Sequence, residues 1–144
     1  MTNSEPVDRP ANLAEAILDS MADAVIFADC TGTIRRWNPA AAALFGFPAD
    51  EALGRSLDLI IPEHLRAAHW SGFDAAMKNA HLKLKGRPTP TRGLHRSGRK
   101  LYVEMTFALV MIAGAAQGAV AVARDVTERI ERERAARGKA NHAS

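Results

Sequence analysis

Two hydrophobic periods follow one another along the chain from residue 60 onward. Over residues 60–77, Leu65, His69, Phe73 and Met77 recur at steps of four with Ala68, Gly72 and Ala76 beside them, which predicts a helix whose apolar face carries one imidazole. Pro62 suits its first turn and Glu63 complements the positive end of its dipole. Farther on the period drops to two: Leu101, Val103, Met105, Phe107 and Leu109 alternate with Tyr102, Glu104 and Thr106, a strand with one core face. In the strand predicted over 119–124, Ala119, Ala121 and Ala123 alternate with Val120 and Val122. An inward alanine row would leave volume over the sheet that a ligand or the long helix must fill.

The remaining elements follow from punctuation. Leu13, Ala16, Ile17 and Met21 set a short leading helix over 12–20 with Asn12 as N-cap. Strands over 23–28 and 33–37 flank a turn at Asp29-Cys30-Thr31-Gly32. Asn38 caps a helix that Pro39 opens and Gly46 stops, and residues 48–53 form a second helical turn closed by Gly54. Residues 79–87 read as a loop, 89–96 as a strand, and 113–118 as a turn. After Asp125 comes a charged helix whose apolar residues are Val126 and Ile130, with Glu128–Arg132 and Glu133–Arg137 at supporting spacing; 138–144 are expected to be disordered. The fold class is α+β, a five-stranded antiparallel sheet with short helices and one long helix over one face and terminal helices at both ends. The expected organisation is a tail at 1–11, a domain with its leading helix at 12–125, and an output helix and tail at 126–144.

Composition narrows the function classes. A chain of 144 residues that is 47% hydrophobic makes one domain with a real core. Its formal net charge of +3 is scattered instead of gathered in a stripe, which argues against direct binding of nucleic acid. The single cysteine, Cys30, allows no internal disulfide and implies a reducing compartment, the cytoplasm. No apolar run reaches the roughly 18 to 20 residues of a membrane span, and residues 1–10 lack the features of a secretory signal. Neither a nucleophile with its base nor a phosphate-cradling glycine loop appears, so an enzyme is disfavoured.

Five sequence words then occur in order: Trp37-Asn38-Pro39-Ala40-Ala41, Leu44-Phe45-Gly46-Phe47, Glu51-Ala52-Leu53-Gly54-Arg55, Arg96-Ser97-Gly98-Arg99 and Arg124-Asp125-Val126-Thr127-Glu128-Arg129. Together they resemble a PAS sensory domain over about residues 13–129. The resemblance implies a pocket between the long helix and the sheet, signalling in place of catalysis, and output through the terminal helix to an effector or a dimer partner. Light-sensing flavin members carry a cysteine in an Asn-Cys-Arg-Phe-Leu-Gln type motif, whereas Cys30 lies in the first hairpin turn, so a cysteine adduct is not expected.

The segment Ile61-Pro62-Glu63 followed by His69 is similar to the long helix of rhizobial oxygen-sensing haem PAS kinases, which place a haem-ligating histidine at that spacing. This implies haem b with His69 as axial ligand and Met105 as a soft second ligand, in a pocket lined by Leu65, Phe73, Leu84, Phe107 and Ala121. Thr89 stands where those sensors have a distal arginine, with Arg87 two residues away. Read alone, His69 is equally a core or edge histidine and Met105 a core filler. Trp70 reads as partly exposed packing, and His64, His81, His95 and His142 as surface residues. Two functions stay open: a ligand-binding sensor, homodimeric and coupled to a signalling effector, and a cofactor-free interaction module that dimerises through its leading helix or outer sheet face.

Overall fold

The structure, a computed structural model, describes residues 10–81 and 89–142. Leu84 and Arg87, two positions singled out in the sequence, lie outside them. The strands are β1 (Ala24–Asp29), β2 (Ile34–Trp37), β3 (Thr89–Leu94), β4 (Lys100–Ile112) and β5 (Ala115–Asp125), paired antiparallel in the order β2-β1-β5-β4-β3. The helices are α1 (Pro10–Ser20), α2 (Pro39–Phe45), α3 (Ala49–Ala52), α4 (Arg66–Asn79) and α5 (Thr127–His142).

Register puts the alanine row of β5 at the centre of the inward face. Ala119, Ala121 and Ala123 stand opposite Ala28, Ile26 and Ala24 of β1 on one side, and opposite Leu109, Phe107 and Met105 of β4 on the other. Side chains thus run small along β5 and most of β1 and large along β4. Ala24, Ile26, Met105 and Ala123 form one core with Phe45 of α2, Ala52 of α3, Ile60, Leu101 and Val103. On β4 the alternation predicted for Leu101, Val103 and Met105 is the burial alternation found.

Asn38 joins the parts. It is 4% exposed, and its Oδ1 accepts from the backbone N–H of Val25 at 2.8 Å and of Ala41 at 3.0 Å. Its Nδ2 donates to the carbonyls of Leu18 at 3.0 Å and Asp23 at 3.1 Å. One side chain thereby caps α2 and also ties the end of α1 to the start of β1. Gly46, at φ 84°, closes α2 in the left-handed conformation that a side chain would disfavour.

Several expected boundaries move. The leading helix starts at Pro10, whose fixed φ suits a first turn, so Asn12 lies inside it and is not the cap. The long helix does not begin at Pro62: that residue is extended, and short 3-10 turns at Leu57–Ile60 and Glu63–Leu65 precede α4. Arg66 holds this bend, its Nε donating to the Ile61 carbonyl at 3.0 Å and its Nη2 to the Asp58 carbonyl at 3.1 Å. The turn expected over 113–118 shrinks to Ala113 and Gly114, both left-handed with φ 51° and 78°, so β5 starts at Ala115. The terminal helix continues through Gly138 to His142 where disorder was expected; good helix formers on both sides outweigh a glycine cost of about 1 kcal/mol.

The exit into α5 is bonded to β4. Thr127 Oγ1 accepts from the Tyr102 N–H at 3.0 Å, and the Val126 N–H donates to the Tyr102 carbonyl at 2.8 Å. Arg129 pairs with Glu104 at 3.2 Å, and the Arg134 guanidinium lies 4.9 Å from the centre of the Tyr102 ring. At the β2 edge, Ile34 exchanges backbone hydrogen bonds with Arg55 and Gly54, and Leu57 donates to the Gly32 carbonyl. At the opposite edge β3 carries Pro90, which has no N–H to offer.

Asn38→Ala removes the cap of α2 and leaves the buried N–H groups of Val25 and Ala41 without their partner. The expected loss is about 2 to 4 kcal/mol, read as a lower urea midpoint at unchanged m-value; a loss below about 1 kcal/mol would show that water replaces the amide.

Candidate functional site

The buried face of α4 carries Phe73 and Ala76, and His69 stands one turn before Phe73. His69 is half-buried, and its Nδ1 is inaccessible to solvent with no hydrogen-bond partner among the described residues. Its ring centre is 5.9 Å from that of Phe73 at an interplanar angle of 31°, and 4.7 Å from the Trp70 ring at 77°. Burial pushes the imidazole below the usual histidine range, against the pull of the Asp58 and Asp74 carboxylates. A neutral imidazole with a free ring nitrogen has the chemistry of a metal ligand.

The predicted site residues fall into two groups. His69 and Phe73 are joined by ring contact, and Leu65 precedes them, half-buried, at the end of the Glu63–Leu65 turn. Phe107 and Ala121 are direct cross-strand neighbours on the inward face, with Met105 next along β4 and 8% exposed within the core. Among the described residues no hydrogen bond links Met105 to His69 Nδ1. No group of three or more His, Cys, Asp or Glu among them could enclose a metal ion. A cleft of about 330 Å³ lies elsewhere, between α1 and β2, bordered by Glu15, Leu18, Asp19, Arg36 and Trp37.

Sequence reasoning missed the setting of Trp70. Its Nε1 donates to Asp58 Oδ1 at 2.7 Å, and its six-membered ring fills the space where Gly32 would carry a Cβ. A tryptophan next to a lone histidine on the helix was the available signal, but its partners are 12 and 38 residues away. His95 is likewise more than a surface residue: it is half-buried, its Nδ1 contacts Ser97 Oγ at 2.9 Å, and its ring covers Gly46. Cys30 is exposed in the β1–β2 turn, where its thiol donates to the Ala116 carbonyl at 3.0 Å.

Because burial depresses the His69 pKa, the unfolded chain takes up a proton below about pH 6.5 more readily than the folded one. Stability is therefore retained above that pH and lost as the pH falls through the folded value. Melting temperatures between pH 7.5 and 5 should drop more steeply for the native chain than for His69→Gln; parallel curves would mean the ring is solvated.

Comparison with known proteins agrees with this architecture. A family model described as PAS fold matches residues 18–131. An uncharacterized protein of Azorhizobium caulinodans is 33% identical over 121 residues, which are 83% of this chain and 16% of that protein. The oxygen sensor protein DosP of Escherichia coli K12 is 25% identical over 103 residues, 72% of this chain and 12% of its own length. The chain thus spans less than a fifth of the length of these relatives. Among solved structures, the PAS domain of a protein from Colwellia psychrerythraea has a TM-score of 0.70 at 21% identity, covering 82% of this chain and 98% of that one. An RNA-binding light-oxygen-voltage receptor has a TM-score of 0.70 at 24% identity, covering 98% and 40%. Both are likenesses of fold. With its β2-β1-β5-β4-β3 sheet and a matching family model across most of its length, the chain belongs to the PAS fold family, the sensory domains of signal transduction.

Proposed function

We propose that this PAS domain senses through haem b, bound by way of His69, and passes the change through α5 to an effector or partner. The observation that carries the proposal is the solvent-inaccessible, unpartnered Nδ1 of a half-buried His69 whose pKa burial lowers. A buried polar atom without a partner is uncommon in a native fold and is a reason to look for one. Similarity to an oxygen sensor protein supports the same reading.

The residues present suit such a group. His69 would supply a ring nitrogen to the iron, and Leu65 and Phe73 on its own segment with Phe107 and Ala121 on the sheet would give apolar walls that exclude water. Leu84, also expected in the lining, lies outside the described residues. When bound, haem supplies an iron that takes a gas molecule or changes oxidation state. Met105, on the inward row of β4, is the proposed second ligand through its thioether. Val126, Thr127 and Arg129 fasten the first turn of α5 to Tyr102 and Glu104, so a shift of β4 reaches the helix directly. Single, free Cys30 suits a reducing cytoplasm; no described helix is long and apolar enough to cross a membrane.

Haemin added to the purified protein should give a Soret band that is lost in His69→Ala. Met105→Ala should keep the band and change its position from that of a six-coordinate to a five-coordinate iron. A colourless native protein would remove the haem proposal, and an unchanged Met105→Ala spectrum would remove the second ligand.

A second reading, a cofactor-free module that works by dimerising, is favoured by α1. Its Leu13 and Ile17, with Met21 just past its end, are 44%, 54% and 37% exposed, an apolar row with nothing in the described chain to cover it. A homodimer through this row predicts that Leu13→Glu with Ile17→Glu elutes as a monomer in gel filtration with light scattering, where the native chain elutes as a dimer. Identical masses for the two proteins would exclude α1 as the contact.

A further inference from the structure

A ligating histidine is normally held in plane by a hydrogen bond from its other ring nitrogen. With Nδ1 of His69 the free nitrogen that a ligand would take, no side chain among the described residues is hydrogen-bonded to the ring, so packing must set its plane. The aromatic contacts supply the restraint. Trp70 meets the imidazole edge-on at 4.7 Å and 77° and meets Phe73 at 5.4 Å and 78°, so the three rings form a triangle of mutual contacts in which His69 is held by both neighbours.

Trp70 is itself fixed at both ends. Its Nε1–H donates to Asp58 Oδ1 at 2.7 Å, a short charge-assisted bond. Asp58 is held in turn: its N–H donates to Ser56 Oγ at 3.1 Å and its carbonyl accepts from Arg66 Nη2 at 3.1 Å. The far end of the indole rests on Gly32, at φ 78°, where any Cβ would overlap the ring. The Gly32 carbonyl accepts from the Leu57 N–H at 3.0 Å, beside Asp58, which closes the circuit.

We infer that Trp70 is a positioning residue: clamped between Asp58 and Gly32, it sets the plane of the His69 imidazole and ties that ring to the β1–β2 turn. The inference rests on His69 being the ligand-binding group, and it deepens that reading by naming what aims it. Phe at position 70 would preserve a ring against His69 and lose the bond to Asp58. Asn at position 58 would preserve the acceptor and lose only the charge.

The test uses the whole chain with two readouts, at one fixed pH. The first is the pair of 15N ring signals of His69 without haemin, with the Trp37 indole N–H, bonded to the Phe47 carbonyl, as the control for an intact fold. The second is haemin affinity from the Soret band. Trp70→Phe and Asp58→Ala should both shift or broaden the His69 signals, leave the Trp37 signal in place, and weaken haemin binding about tenfold. Asp58→Asn should stay within about twofold of the native protein, on the same scale. Unmoved His69 signals in both Trp70→Phe and Asp58→Ala, or unchanged haemin affinity in both variants when the native protein binds through His69, would overturn the clamp. Should the His69 signals move as expected while the native protein takes up no haemin, the clamp stands and the haem reading falls.

Discussion

The amide of Asn38 makes four hydrogen bonds inside the fold, and they join the end of α1, the start of β1 and the first turn of α2. Two backbone N–H groups, of Val25 and Ala41, share its oxygen; two carbonyls, of Leu18 and Asp23, share its nitrogen. Every polar valence is used, which is the condition under which a buried amide specifies a structure instead of weakening it. The angle between β1 and α2 is fixed there, and Phe45 at the far end of α2 is thereby delivered to the core. The end of α1 is bound through the same side chain, so the terminal helix and the core are not independent parts.

Beyond that junction, the middle of the sheet is made of methyl groups. Ala24, Ala28, Ala119, Ala121 and Ala123 occupy the inward face of β1 and β5, and Met105, Phe107 and Leu109 rise beside them on β4. Such a surface is shallow in the centre and walled at one side. His69 belongs to a different cluster, with Trp70 and Phe73, anchored to the β1–β2 turn and to Asp58. Sheet and histidine are therefore positioned by separate contacts.

The parts legible in the sequence were those governed by local spacing. Period-two burial on β4, the inward alanines, and the Asn38-Pro39 start and Gly46 stop of α2 all follow from neighbours within a few residues. Boundaries failed where geometry departed from the usual signals: an alanine, Ala113, takes a left-handed turn position, and Pro62 opens a bend in place of a helix. Asn38 was readable as a cap, but its bonds to Leu18 and Asp23 were not, because they depend on where α1 ends. His69 was conspicuous as one imidazole in an apolar stripe, while the residues that restrain it, Asp58 and Gly32, lie on other segments and carry no pattern that points to it.

The two margins of the sheet have a consequence for how copies of this domain can meet. On the β2 side, the backbone groups of Gly32 and Ile34 are already engaged by the chain from Gly54 to Leu57. On the β3 side, Pro90 interrupts the row of donors. Both margins are thereby interrupted as templates for a further strand, which disfavours growth of the sheet from one molecule into the next and leaves helix and sheet faces as the better surfaces for assembly.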